Sequence, residues 1–187
     1  MSQDSRIFVA VDLPEGTKKV VGAFFKKKGL PAARWSAPAQ LHVTLHFFAA
    51  VSPERLTEIT AKLVTVKAAA FPLSLRGLGV FPAGQPALAR VLWAGLAPVE
   101  PLRALKSAID TALGPDEDPE AKEEGFAPHL TLARFKSAPG PLLAHFLSDN
   151  AVFATAPWTV ERFVLYRSTL SSDGALHTPL RQYPLGG

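Results

Sequence analysis

Hydrophobic residues recur along this chain with two periods, every second residue in short runs and every third or fourth in longer ones. The period of two is plainest at Leu41–Phe47. There Leu41, Val43, Leu45 and Phe47 fall on one face of a predicted strand, and His42, Thr44 and His46 on the other. It returns half a chain later, where Leu130 and Leu132 oppose His129 and Thr131. Arg6–Asp12 is a short apolar, β-rich run that predicts a buried strand, and Trp158–Ser168 predicts a long one. Residues 72–80 and 88–95 predict a hairpin whose loop, Phe81–Ala87, is broken by Pro82, Gly84 and Pro86. Residues 180–187 are expected to add an edge strand.

The longer period predicts helices. Pro14 opens one that reaches about Lys28, with Val20, Val21, Phe24 and Phe25 inward; Lys26–Lys28 suit its negative end and Gly29 stops it. Ser52 is an N-cap ahead of Pro53, followed by a stripe of Leu56, Ile59, Leu63 and Val66. A third helix spans 100–113 on Leu102, Leu105, Ile109 and Leu113, and a short one holds Leu142, Leu143, Phe146 and Leu147. Leu30–Gln40 reads as a Pro/Ala loop carrying Arg34 and Trp35. Irregular alternation of strands and helices, with hairpins, predicts an α+β fold rather than a doubly wound sheet. The 187 residues suit one domain built from two lobes, 1–187.

Composition narrows the function classes. With 48% hydrophobic residues a packed interior is expected, and with no cysteines there is neither a disulfide nor a thiol nucleophile, as suits a reducing compartment. The first residues lack a basic and then apolar leader, and no apolar run approaches the ~18 residues of a membrane span. A cytoplasmic protein with no membrane partner is expected. The net charge of +4 hides an asymmetry: residues 114–125 hold six acids and one Lys, leaving 19 basic and 10 acidic residues elsewhere. A basic body suits a polyanion such as RNA, although solvated surface cations explain the charge equally well.

The candidate chemistry lies in the tetrapeptide His-x-Thr-Leu, found at 42–45 and 129–132 and nowhere else. On a strand each copy presents an imidazole and a hydroxyl on one face, roughly 7 Å apart. One imidazole can donate a proton near neutrality while another accepts one, and Thr hydroxyls can hold phosphate oxygens. Facing pairs would set an acid and a base on opposite sides of a phosphodiester. A lone His-x-Thr in a strand is ordinarily a half-buried polar pair; the matched repetition argues for chemistry. His42 and His46 carry the spacing of a helical zinc motif, but on a strand they stand about 13 Å apart, so no metal site is expected. His145 reads as structural.

At these residues the chain resembles the 2H phosphoesterase superfamily, named for two His-x-Thr motifs, and within it the RNA 2′,3′-cyclic phosphodiesterases, also called 2′-5′ RNA ligases. The likeness includes Arg6–Val11, Trp35, Leu41–Leu45, Leu78–Pro82, Val91–Gly95, Phe126–Arg134, Ser168 and Gly174. The resemblance implies a bilobal α+β fold with pseudo-twofold symmetry and a cleft between two antiparallel sheets. It implies hydrolysis of an RNA-terminal 2′,3′-cyclic phosphate to a 2′-phosphate without metal, ATP or other cofactor. The reverse reaction would join a 5′-hydroxyl RNA end in a 2′-5′ linkage. His42 would be the general acid and His129 the general base. Thr44, Thr131 and Arg134 would hold the phosphate. RNA ends are the expected partners, and the chain is expected to be a monomer.

Three departures stand out. By simple alternation Arg134 has the wrong parity to share a face with His129 and Thr131, and reaches them only through a bulge or a strand end. His46-Phe47-Phe48-Ala49 replaces the Arg-Phe-Leu-Gly usual in the family; alternation puts His46 on the catalytic face, where contact with substrate and the role of a satisfied structural His are equally open. His177 stands where relatives often have Tyr. Trp35 and Phe48 could supply stacking for a base, but core packing is the expected role for either. The same fold could take ADP-ribose cyclic phosphate or a 2′-5′ oligonucleotide, or serve as a non-catalytic RNA-binding module.

Overall fold

Ile7, Val9 and Val11 point one way and Phe8, Ala10 and Asp12 the other, which makes β1 (Ser5–Asp12) a strand with two working faces. It is the second strand of an antiparallel sheet of order β3-β1-β8-β9, where β3 is His42–Val51, β8 Arg162–Ser171 and β9 Gly174–Pro184. The other sheet has the order β2-β6-β5-β4-β7. Its strands are β2 (Ala33–Trp35), β6 (Leu130–Phe135), β5 (Val91–Ala97), β4 (Phe71–Phe81) and β7 (Trp158–Val160). The computed structural model describes residues 5–27, 30, 33–114, 125–171 and 174–186. The acidic segment 115–124 and the end of the first helix at 28–29 lie outside these residues, as do the side chains of Phe24 and Phe25.

Among the described residues four α-helices accompany the sheets. In α1 (Glu15–Lys27) Val21 is buried, but Val20, expected inward, is exposed because the buried face runs through Lys18 and Val21 and Val20 falls beside it. Ser52 Oγ accepts the Arg55 backbone N–H at 3.2 Å and Pro53 opens α2 (Pro53–Leu63), with Ile59 and Leu63 buried. The stripe of α3 (Glu100–Leu113), Leu102, Leu105, Ile109 and Leu113, is fully buried as its period requires. Lys62 Nζ donates to the Leu113 carbonyl at 2.6 Å and so ties α2 to the negative end of α3. In α4 (Pro141–Asp149) Leu143 and Phe146 are buried, while His145 is exposed and stands apart from the cleft described below.

The two halves of the chain repeat one plan and exchange a strand. β1, α1, β3 and α2 are followed by β4, which joins the second sheet; β5, α3, β6 and α4 lead on to β8, which joins the first. The run 158–168, expected as one strand, is therefore two. β7 pairs with β4 in the second sheet, β8 pairs with β1 in the first, and the chain changes sheet at Glu161. The consecutive exposed residues Glu161 and Arg162, set between buried Val160 and Phe163, mark the break in alternation. The loop expected over Leu30–Gln40 contains β2, whose three residues pair with Phe135, Arg134 and Ala133 of β6.

Each motif strand carries a bulge directly after its threonine. Ala10 pairs with Thr44 but Val9 pairs with His46, leaving Leu45 as the extra residue; Trp93 pairs with Thr131 but Leu92 with Ala133, leaving Leu132 extra. Both extra leucines are buried.

Candidate active site

A bulge reverses the parity of everything after it, and this rearranges the cleft. In β3, His42 and Thr44 keep one face, Phe47 joins them, and His46 turns inward. At the second motif, His129, just ahead of β6, and Thr131 are joined by Arg134, so the parity conflict of the sequence is resolved by the Leu132 bulge. The face expected for His46 is corrected: it is 3% exposed, its Nδ1 lies 3.0 Å from Asp110 Oδ1, and its ring packs on Phe48. Lys106 Nζ holds the same carboxylate at 2.7 and 2.8 Å. Burial alone would raise the Asp110 carboxyl, but hydrogen bonds from His46 and Lys106 outweigh it and hold it below its ordinary value. His46 thus anchors β3 to α3. Phe48, a candidate platform, is core, whereas Trp35 lines the cleft.

The two motif strands meet along a cleft of about 710 Å³. All five expected site residues, His42, Thr44, His129, Thr131 and Arg134, line it. Phe8, Gln40, Phe47 and His177 complete one side; Arg34, Trp35 and Ser36 belong to the other. Arg34 is opposite Arg134 in register, which concentrates positive charge at the β2–β6 end. Alternation alone assigns Phe47 to the core, and Arg34 reads as an ordinary loop cation until β2 forms; no local pattern marks either. Ser36 fastens this wall to the motif: its N–H donates to the carbonyl of bulged Leu132 at 2.8 Å and its hydroxyl to the Thr131 carbonyl at 3.1 Å. Gln40 Nε2 donates to the Ala175 carbonyl at 2.5 Å and closes the first side onto β9.

The histidines are held in matching fashion. His42 Nδ1 lies 2.7 Å from the Gln40 carbonyl and His129 Nδ1 lies 2.9 Å from the Ala127 carbonyl, two residues earlier in each case. A carbonyl only accepts, so both Nδ1 atoms carry hydrogen, and Nε2 is the nitrogen left to exchange protons. His42 is walled by Phe8 at 4.8 Å and by His177 at 5.1 Å, edge-on at 85°. His129 meets Phe81 at 5.0 Å and Trp93 at 6.4 Å. Behind Phe8, Tyr166 stacks at 5.1 Å and donates its hydroxyl to Asp12 at 2.7 Å.

Burial pushes His42 down to about 4; the Gln40 carbonyl and Asp12 oppose the shift and His177 adds to it. Burial also lowers His177. Among the described residues no group of three or more His, Asp or Glu is placed to hold a metal ion, and no helix is long and apolar enough to cross a membrane.

Comparison with known proteins agrees with this architecture. The sequence model of the 2′-5′ RNA ligase superfamily matches residues 25–171. A protein of Archaeoglobus fulgidus named RNA 2′,3′-cyclic phosphodiesterase is 28% identical over 179 residues, covering 95% of this chain and 99% of the relative. One of Thermus thermophilus with the same name is 32% identical over 193 residues, covering 97% and 91%. The crystal structure of Escherichia coli LigT complexed with phosphate superimposes with a TM-score of 0.76 at 25% identity over 100% of both chains. The crystal structure of a Thermus thermophilus protein does so with a TM-score of 0.75 at 30% identity, covering 97% and 98%. The α+β fold of two antiparallel sheets is that of these structures, and the chain belongs to the 2′-5′ RNA ligase superfamily.

Proposed function

We propose that the chain hydrolyses RNA-terminal 2′,3′-cyclic phosphates to 2′-phosphates by two-histidine acid–base catalysis. The observation that carries this reading is the matched anchoring of His42 and His129. Each Nδ1–H is spent on a backbone carbonyl, so each Nε2 is left for one shared cleft. The names of the relatives supply the substrate class. His129 Nε2 takes the proton of a water that attacks phosphorus, and His42 Nε2–H protonates O3′ as the P–O3′ bond breaks. Thr44 and Thr131 donate to the non-bridging oxygens, and Arg134 neutralises their charge. With its pKa near 4, His42 is neutral in the empty cleft at pH 7 and acquires its proton as the anionic phosphate enters. When a 5′-hydroxyl takes the place of water, the same ring opening, with P–O3′ broken and O3′ protonated, forms a 2′-5′ linkage. The strand exchange of β4 and β8 supports a chain that works as one unit.

The test is a short RNA ending in a 2′,3′-cyclic phosphate, incubated with protein and EDTA and without ATP. The product is read by mass and by its resistance to a 3′-specific phosphatase. Gain of one water with a resistant end is expected. A 3′-phosphate would overturn the leaving-group assignment, and no turnover would move the substrate to another cyclic nucleotide.

A further inference from the structure

A third histidine shares the cleft and is built differently from the other two. His177 sits on β9 opposite Ser168, edge-on to the His42 ring at 5.1 Å and to Phe8 at 4.9 Å. Its Nδ1 is fully buried and has no hydrogen-bond partner among the described residues. His42 and His129 both have a carbonyl that accepts Nδ1–H and so supports either protonation state; His177 has none. A buried N–H without an acceptor carries a full desolvation penalty, whereas a bare ring nitrogen facing apolar atoms costs less. The proton therefore belongs on Nε2, and a second proton on Nδ1 is disfavoured. The residue lines the cleft, and its Nε2, unlike Nδ1, is not a buried atom without a partner.

We propose that His177 is a third substrate-contacting histidine, a fixed Nε2–H donor to an oxygen of the terminal ribose phosphate on the His42 side of the cleft. It binds and orients and does not carry a proton through the reaction. This rests on the proposed function for the identity of the substrate, but not for the tautomer. Its neutrality also matters to His42: a cation at that distance would keep His42 from gaining the proton it needs.

Two variants separate donation from packing and from proton transfer. His177→Phe keeps a ring against Phe8 and His42 without the donor, and His177→Gln restores an N–H at similar reach. With cyclic-phosphate RNA, His177→Phe is expected to raise KM about tenfold, the size of one lost hydrogen bond, with kcat and its pH profile little changed. His177→Gln is expected to recover most of the loss. Wild-type behaviour of His177→Phe would mean ring packing alone and overturn the proposal. So would loss of a limb of the pH profile in both variants, which would make His177 a proton carrier. Nitrogen-15 NMR is expected to show Nε2 protonated and Nδ1 bare at pH 7 to 8; an Nδ1–H tautomer or an imidazolium there also overturns it. Calorimetric binding of adenosine 2′-monophosphate should rank the proteins wild type, Gln, then Phe. That ranking and the tautomer stand or fall even if wild-type protein fails to open the cyclic phosphate, so failure of the broader reading would be told apart.

Discussion

Phe47 and Arg134 occupy the same position in the two halves, three residues after the motif threonine, and both reach the cleft through a bulged leucine. The repeat gives the cleft matched His and Thr pairs, and this pair gives it two different ends. A guanidinium stands beside Thr131, and a 43% exposed aromatic ring beside Thr44. Under the proposed function this asymmetry is expected to orient a nucleotide, phosphate charge toward Arg134 and base toward Phe47.

Arg134→Ala should weaken KM by ten- to a hundredfold, the range of a charge-assisted hydrogen bond of about 1.5–3 kcal/mol, and flatten the dependence on salt. Phe47→Ala should weaken binding of nucleotides by about 1–3 kcal/mol yet leave inorganic phosphate unaffected. Calorimetry with adenosine 2′-monophosphate and with phosphate tells these apart. Equal losses on both ligands for Phe47→Ala would contradict a base platform.

Asp110→Ala should destabilise the fold by about 1–3 kcal/mol, because it leaves buried His46 Nδ1 without a partner. Urea unfolding measures this directly. Turnover per folded molecule should be retained, since the His46 side chain does not line the cleft; a selective loss of kcat would return His46 to the site.

The position of His46 shows what could be read from the sequence. The motif strands, the Ser52 cap, the stripe of α3 and the facing of His42 with Thr44 follow from periodicity and capping, which are local. A bulge is a property of two strands: Leu45 is extra only because β1 pairs Ala10 with Thr44 and Val9 with His46. Hence His46 and Phe47 change faces with no mark in their own stretch. The same holds for β2, three residues that become a strand only against β6, and for Glu161, where an apparently continuous run changes sheets. The parity conflict at Arg134 is the one advance sign of a bulge.

Gly79→Ala should disturb the His129 side. A Cβ there would lie 2.2 Å from Trp93 Cζ2, so the indole must move, and its neighbours are Phe81 and His129. Overpacking of this kind costs about 1–3 kcal/mol. A lower urea midpoint together with reduced kcat is expected; unchanged values for both would show that Trp93 does not support the His129 ring.

The low pKa of His42 has two measurable consequences. An unfolded imidazole titrates near 6.5 and folded His42 at about 4, so between these values the unfolded chain binds more protons and stability falls as the pH drops. His42→Gln should lose less stability than wild type between pH 7 and 4.5, by urea midpoint. Inorganic phosphate, bound beside His42, should raise its midpoint in an NMR titration. No movement at saturating phosphate would contradict its role as the acid that substrate charges.

The central claim is that two histidines, and nothing further, move the protons. The most direct measurement is turnover of cyclic-phosphate RNA in EDTA by wild type, His42→Ala and His129→Ala, with phosphate binding checked in parallel. General acid–base groups contribute about 10²- to 10⁴-fold each, so wild type should turn over, and each variant should lose at least about a hundredfold while still binding phosphate. Either variant working at the wild-type rate would contradict the account.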